Sequence, residues 1–124
     1  MNNTQLQLVT YEQAVRLKEL GFDWEVKQYY RDGIKDYTYP EFMGYSNEAI
    51  NDFSAPTAAL ALKWMRDVKG IFGSIDFDNH KDIRKYYYFY QFEETETSDF
   101  YGHYEAAESA LLDELLTLLE NENK

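Results

Sequence analysis

The residues of this 124-residue chain that could carry acid–base chemistry are two histidines and several carboxylates. His103 lies beside Tyr104 and Glu105, and His80 lies in a polar run. No Gly-x-Ser-x-Gly motif occurs, and no serine, histidine and aspartate stand in a recognisable arrangement. We therefore predict a capping or surface role for His103. Glu108 falls inside the apolar arc of the last predicted helix. We predict that it lies at the rim of this arc, because a helix N-terminus favours a carboxylate. The alternative is that Glu108 is a buried general acid.

Metal-ligand residue types are concentrated in one short run. They are Asp76, Asp78, Asn79, His80 and Asp82. An EF-hand loop beginning at Asp76 would need glycine at its sixth position and glutamate at its twelfth, but Lys81 and Tyr87 stand there. Because Asp and Asn are also common turn residues, we predict a hairpin turn, with a weak hydrated cation site as the alternative. No cofactor is predicted.

Phosphate-binding motifs are missing from the sequence. Neither a Walker pattern nor Gly-x-Gly-x-x-Gly occurs. A small-ligand or nucleotide-binding (sponge) function stays open as an alternative, with cations meeting the phosphates and a tyrosine stacking on the base. The cations in question are Lys63, Arg66, Arg84 and Lys85. A small hydrolase is the third hypothesis, which the lack of a catalytic motif disfavours.

The net charge of −11 is concentrated at the C-terminal end. Residues 93–124 hold ten acidic side chains and one basic one, which gives −9, whereas residues 1–92 carry −2. A segment of this charge repels phosphate, so we expect no direct binding to a nucleic-acid backbone. The segment is interpreted either as a solvated helix face with an acidic tail or as a surface that occupies a basic groove of another protein.

Aromatic residues that could anchor such a contact directly precede the acidic segment. Alternation over 84–92 places Tyr86, Tyr88 and Tyr90 on one face and Tyr87 and Phe89 on the other. One face must belong to the core, and the other is either covered by a helix or is a contact patch, since tyrosine is favoured in interfaces. The predicted partner-binding residues are Tyr86, Tyr88, Tyr90, Glu93, Glu94, Glu96 and Asp99.

The helices and strands that must position these residues are themselves predicted from the sequence, and their order indicates an α+β fold. Capping residues and apolar arcs indicate helices over 11–20, 54–69 and 101–119. Alternating residues and turn signals indicate antiparallel hairpins. Their strands are predicted over 25–30, 34–39, 71–77 and 84–92. The order α-β-β-α-β-β-α favours an antiparallel sheet of hairpins packed with three helices, in a single compact domain over 1–124.

The remaining segments are predicted to be loops, a turn or flexible ends. They are the loop 40–53, the turn 78–82, the acidic loop 93–98 and the ends 1–9 and 120–124. No apolar run approaches the roughly 18 residues of a membrane span, and the first residues lack the features of a secretory signal. The absence of cysteine excludes disulfides, thiolate zinc sites and a cysteine nucleophile. The composition therefore predicts a soluble cytoplasmic protein that does not bind a membrane.

Residues 54–119 resemble a family of small phage and prophage proteins. The resemblance is carried by the segment from Ser54 to Gly70 with its following hairpin, and by the closing segment from Tyr104 to Leu116. The pattern is similar to ABA-sandwich-like proteins of Bacteroidetes phages. It implies a phage origin and a host bacterial cytoplasm, and no functional residues. Together with the charge, it leads to the hypothesis of a non-enzymatic, acidic counter-defence inhibitor that occludes a basic surface of a host protein. A homodimer is compatible with this hypothesis.

Overall fold

The computed structural model of the chain describes residues 6–80, 83–92 and 94–122, with the backbone alone at positions 79, 80, 83 and 84. These residues form three α-helices and two three-stranded antiparallel sheets, which confirms the predicted α+β class. The helices are α1 (Tyr11–Glu19), α2 (Ala58–Trp64) and α3 (Tyr104–Glu122). The strands are β1 (Val26–Tyr30), β2 (Thr38–Tyr45), β3 (Phe53–Ser54), β4 (Phe72–His80), β5 (Ile83–Gln91) and β6 (Thr95–Thr97). The strands β3 and β6 are additional to those predicted.

Helix α1 begins with a capping box and is tied to α3. Thr10 Oγ1 accepts a hydrogen bond from the Gln13 N–H at 3.1 Å, and Gln13 Oε1 accepts one from the Thr10 N–H at 2.9 Å. The helix ends before Gly21, whose φ of 96° suits glycine. Arg16 donates to both carboxylate oxygens of Glu120 on α3, at 2.9 and 2.8 Å.

The first hairpin corrects two predictions. Residues 34–37 lie outside the strand expected over 34–39, and β2 and β3 occupy parts of the expected loop 40–53. Pro40 is accommodated within β2, opposite Gln28, because β2 is an edge strand in the order β2-β1-β3. An edge strand tolerates the missing N–H of proline on its open side.

A bulge interrupts the pairing of β1 and β2. The register passes from Gln28↔Pro40 to Val26↔Tyr45, so one residue of β1 stands opposite four residues of β2. The bulge presents Phe42, whose side chain is 92% exposed. This is the largest departure from regular pairing in the first sheet.

The helix predicted over 54–69 begins later than expected. Ser54 is fully buried in β3, opposite Tyr29, and the N-cap is Thr57, whose hydroxyl accepts from the Leu60 N–H at 3.1 Å. The helix then widens into a π-helix over Met65–Lys69. It ends at Gly70, which has a φ of 74°. The predicted helix start is three residues too early because Ser54 pairs in the sheet with Tyr29, and Thr57 caps the helix.

The last helix also begins later than the predicted 101. Tyr101 instead pairs with Tyr86, through main-chain hydrogen bonds of 2.8 and 2.6 Å. The acidic segment predicted as a loop over 93–98 contains β6, which pairs with β5. Helix α3 then contributes a row of fully buried leucines to the core. They are Leu111, Leu112, Leu115 and Leu116.

The second sheet packs one face on α3. Strands β4 and β5 pair from Phe72↔Gln91 to His80↔Ile83. Strand β4 therefore extends into the turn predicted over 78–82, of which 81 and 82 lie outside the described residues. Paired residues share a face. The inner face carries Gly73, Ile75, Phe77, Tyr86, Tyr88 and Tyr90, and the outer face carries Phe72, Ser74, Asp76, Lys85, Tyr87 and Phe89. A Cβ on Gly73 would lie 2.9 Å from Leu111 Cδ1, so α3 directly covers the inner face there.

The described parts of the two ends predicted to be flexible take part in the fold. Val9 is buried, and its N–H donates to the Pro56 carbonyl at 2.9 Å. Helix α3 continues to Glu122. None of the helices in the described ranges combines the length and the apolar character that crossing a membrane requires.

Candidate functional site

Tyr88, a predicted partner-binding residue, is packed against the core. Its ring stacks on that of Tyr101, with centroids 6.1 Å apart and planes 25° from parallel. It belongs to the partly buried residues around the main hydrophobic cluster. Burial raises the pKa of its hydroxyl to about 12. Tyr88 therefore supports the sheet and offers a partner little free surface.

Tyr86 and Tyr90 lie towards opposite ends of the inner face. The Tyr86 ring contacts Phe77 at 5.2 Å and Tyr104 at 5.9 Å between centroids. Tyr90 pairs with Glu96 of β6, so the two side chains share the inner face. The three tyrosines predicted as one anchor are thus divided, and only Tyr90 lines the cleft that contains predicted acidic residues.

A cleft at the β6 edge joins Tyr90 to two of those acidic residues. The cleft, called the acidic cleft below, has a volume of about 150 Å³. Its lining residues are Tyr90, Phe92, Glu94, Glu96 and Leu118. Burial, followed by the charges of Glu114 and Glu96, raises the pKa of the Tyr90 hydroxyl. Such a cleft can take a lysine or arginine side chain, whose methylene stem packs on apolar surface while its charged end meets carboxylates.

The other two predicted acidic residues do not join this cleft. Glu93 lies outside the described residues. Asp99 is exposed, and its carbonyl oxygen accepts a hydrogen bond from the Ser98 hydroxyl at 2.7 Å. Ser98 Oγ also accepts from the Tyr88 N–H at 2.9 Å, which holds this segment beside β5.

The four cations of the nucleotide-binding alternative are not all brought together. Lys63 and Arg66 line a second cleft, of about 210 Å³, between α2 and β4. Both pair with the Asp67 carboxylate, at 2.5 and 2.9 Å. Lys85 lies on the outer face, 5.4 Å from the ring centre of Phe100. The Arg84 side chain is not among the described ones.

Glu108 is the buried carboxylate of the candidate acid–base residues. Its side chain is 6% exposed, and Glu108 Oε1 accepts from Gln7 Nε2 at 2.8 Å. Burial and the neighbouring Glu108 carboxylate raise the pKa of the Tyr104 hydroxyl. His103 is exposed. Glu108 and Tyr104 both line the cleft between α2 and β4, which makes this cleft a second candidate site.

Of the residues of the alternative cation site, Asp76 makes other contacts. Asp76 accepts from the Tyr87 hydroxyl at 3.1 Å and from the Phe77 N–H at 2.8 Å. Asp82 and the side chains of Asn79 and His80 lie outside the described part of the chain. Within that part, no group of three or more histidine and acidic side chains is placed to hold a metal ion.

Two exposed aromatic residues, Phe72 and Phe100, were not singled out from the sequence as part of a site. On the outer face, Phe72 and Phe89 have ring centres 6.2 Å apart, and the Phe100 ring contacts that of Tyr87 at 5.8 Å. The alternation of β5 predicts two aromatic faces and leaves open whether the second one is covered, whereas the structure shows that α3 packs on the face that carries Gly73. Comparison of the chain with protein-family models, with curated proteins and with solved structures found no match.

Proposed function

We propose that this protein is a non-enzymatic binding module that docks a basic surface of another protein through the acidic cleft. One observation carries the proposal: Tyr90, Phe92 and Leu118 line the same cleft as Glu94 and Glu96. Aromatic side chains are enriched in interfaces, and tyrosine is among the residues that dominate their energetics. The surrounding carboxylates select a partner of positive charge.

The charge distribution supports a basic partner. None of the described residues that line the acidic cleft is basic. The segment 93–124, which includes Glu94, Glu96 and Leu118, carries a net charge of −9. A surface in this field attracts cationic partners and repels phosphate backbones over distances of about a Debye length. The proposed mechanism is occlusion, in which the module covers a basic patch and blocks its use.

The resemblance of residues 54–119 to small phage proteins suggests the setting of this contact. In that setting the partner is a bacterial host protein, and the module acts in the host cytoplasm as a counter-defence inhibitor. A host protein whose basic groove binds nucleic acid has the required complementarity, because a surface rich in carboxylates can take the place of phosphates.

The test begins with an affinity pull-down from a bacterial lysate and continues with association rates for the captured partner. Glu94→Lys combined with Glu96→Lys should slow association strongly, with the melting temperature nearly unchanged, because exposed charges contribute little to stability. The matched control is Asp23→Lys combined with Asp32→Lys, which makes the same charge change at exposed positions elsewhere. Adding Glu93→Lys extends the reversal to the adjacent predicted residue.

Two results would contradict the proposal. One is a captured partner whose contact surface is acidic. The other is an association rate that falls equally in the cleft variant and in the matched control, which would show a response to net charge without a specific site. The nucleotide-binding alternative, with Lys63 and Arg66 at its centre, would then take first place.

A further inference from the structure

Among the described strands, none pairs with one side of β4. The sheet order β4-β5-β6 leaves β4 at an edge. The main-chain groups of Tyr86 and Tyr88 point away from β4, since Tyr86 pairs with Tyr101 and the Tyr88 carbonyl accepts from the Ser98 N–H at 2.9 Å. Main-chain groups alternate in direction along a strand. The residues 85, 87, 89 and 91 therefore bond to their β4 partners 78, 76, 74 and 72.

The groups of Gly73, Ile75 and Phe77 consequently point to the free edge. A separate observation agrees: the Phe77 N–H donates to Asp76 Oδ1 at 2.8 Å, and so is not used in the ladder with β5. Within the described ranges, no hydrogen bond from another element reaches the main-chain groups of Gly73 or Ile75 on this side. Unpaired groups of this kind are a template for another strand.

The free edge at Gly73 and Ile75 lines the 210 Å³ cleft, called the β4 cleft below. Helix α2 forms its other side through Ala59 and Leu62, and α3 contributes Tyr104 and Glu108. Neighbouring strands lie about 4.8 Å apart, so an added strand would run between β4 and α2. The cleft combines an open strand edge with apolar and polar side chains.

Glu108 gives this cleft a preference for a basic ligand group. Buried carboxylates are normally paired with a cation, but among the described residues no basic side chain lies within ion-pair distance of Glu108. Lys63 and Arg66, at the same cleft, are both engaged by Asp67. Glu108 Oε1 accepts a hydrogen bond from the neutral Gln7 amide at 2.8 Å, and a basic group entering the cleft would add a cationic partner.

We propose that the β4 cleft binds an extended peptide as an additional strand on β4, with a lysine or arginine side chain of the peptide placed at Glu108. A peptide residue paired with Gly73 or Ile75 shares their face of the sheet, which is the face that α3 covers and on which Glu108 lies. Main-chain hydrogen bonds supply affinity, and the inward side chain supplies specificity. Leu62 and Ala59 contact the methylene stem of that side chain.

This site is separate from the acidic cleft. The β4 edge and the β6 edge are opposite edges of one sheet, and the two clefts share no lining residue. The proposal therefore does not rest on the proposed function, and each can fail without the other.

The first experiment uses an array of acetylated, amidated hexapeptides. A lysine or arginine is fixed at the third position, and the other positions are drawn from Thr, Val, Ile, Tyr and Phe, which favour strands. The tightest binder is then titrated into the ¹⁵N-labelled full chain. The amide resonances of Gly73 and Ile75 should shift, and their hydrogen exchange should slow. A control peptide is N-methylated at alternate residues, on the edge that faces β4. It should lose binding, because methylation removes the main-chain N–H donors to β4 while the side chains stay the same.

Matched variants test the role of Glu108. Glu108→Gln should weaken the peptide about tenfold or more, the effect expected when a charged hydrogen-bond partner is lost. Two control variants should leave the peptide affinity within about twofold. Glu105→Gln makes the same charge change at an exposed position of α3. The combination of Glu94→Lys and Glu96→Lys alters the acidic cleft. The proposal is overturned by an array without binders, by equal binding of the N-methylated peptide, by shifts centred on β6, or by wild-type affinity in Glu108→Gln.

Discussion

Gly73 shows how the absence of one side chain sets the approach of a helix to a sheet. A Cβ at this position would lie 2.9 Å from Leu111 Cδ1 and 3.2 Å from Leu115 Cδ1, and both leucines are fully buried. Gly73→Ala should therefore lower the free energy of unfolding by about 1–3 kcal/mol, the usual cost of overpacking a core. Urea denaturation measures it. Gly102→Ala is the control, because a Cβ there meets nothing within 4 Å, and equal effects of the two changes would contradict this reading.

The ionisation of Tyr88 makes the free energy of unfolding depend on pH in the alkaline range. Burial raises the pKa of its hydroxyl to about 12, above the value of about 10 in an unfolded chain. The unfolded state loses this proton first, so the stabilisation is complete below about pH 10 and is lost as the pH rises towards 12. Tyr88→Phe should make the decline of the unfolding free energy between pH 9 and 12 shallower. Tyrosinate absorbance can be followed against pH in the wild type and in Tyr88→Phe. The ionisation that the variant lacks should occur near pH 12. If the variant instead lacks an ionisation near pH 10, the raised pKa of Tyr88 is contradicted.

At the scale of elements, Gln13 connects the cap of α1 to α3. Its Oε1 completes the capping box, while its Nε2 donates to the Ser109 carbonyl at 3.1 Å and to Asp113 Oδ1 at 3.0 Å. Gln13 is buried, so truncation leaves polar groups of both helices unsatisfied.

Two variants separate the cap from the interhelical contact. Thr10→Ala removes one side of the capping box and should cost about 1 kcal/mol of unfolding free energy. Gln13→Ala should cost more, about 2–3 kcal/mol, because the bonds to α3 are lost as well. Chemical denaturation of both variants gives the difference. If Gln13→Ala cost no more than Thr10→Ala, the contact between α1 and α3 would be energetically neutral.

At the scale of the whole molecule, the unequal charge distribution predicts salt-dependent association. With −9 of the net −11 in residues 93–124, a basic partner is attracted over about 8 Å at physiological ionic strength and over less at higher salt. The association rate of the captured partner should therefore fall as salt rises, while the dissociation rate changes little. Stopped-flow measurements over a salt series test this. A rate independent of salt would exclude electrostatic steering.

The part of the fold that depends on local pattern could be predicted from the sequence. The capping box at Thr10 and Gln13, the paired alternation of β4 and β5, and the leucine arc of α3 all follow from residue types and spacing. These features use interactions between residues close in the chain, or a side-chain period that burial enforces.

The starts of α2 and α3 and the layout of the site were decided by tertiary contacts. Ser54 and Thr57 can both cap a helix, but only the pairing of Ser54 with Tyr29 removes Ser54 from that role. Likewise, the acidic residues and tyrosines of the binding hypothesis are neighbours in sequence, yet Tyr88 is covered by Tyr101 and Tyr90 shares a cleft with Glu94 and Glu96.

The sequence alone determined the acidity of the protein, its α+β class and the existence of a two-faced aromatic strand. Only the tertiary structure decided which face is covered, because that depends on where α3 packs against Gly73. Among the described residues, the same packing leaves the edge of β4 without a paired strand beside α2 and places Glu108 there. A cleft is formed by residues far apart in the chain, so its position follows from the packing of the elements and not from the pattern within any one of them.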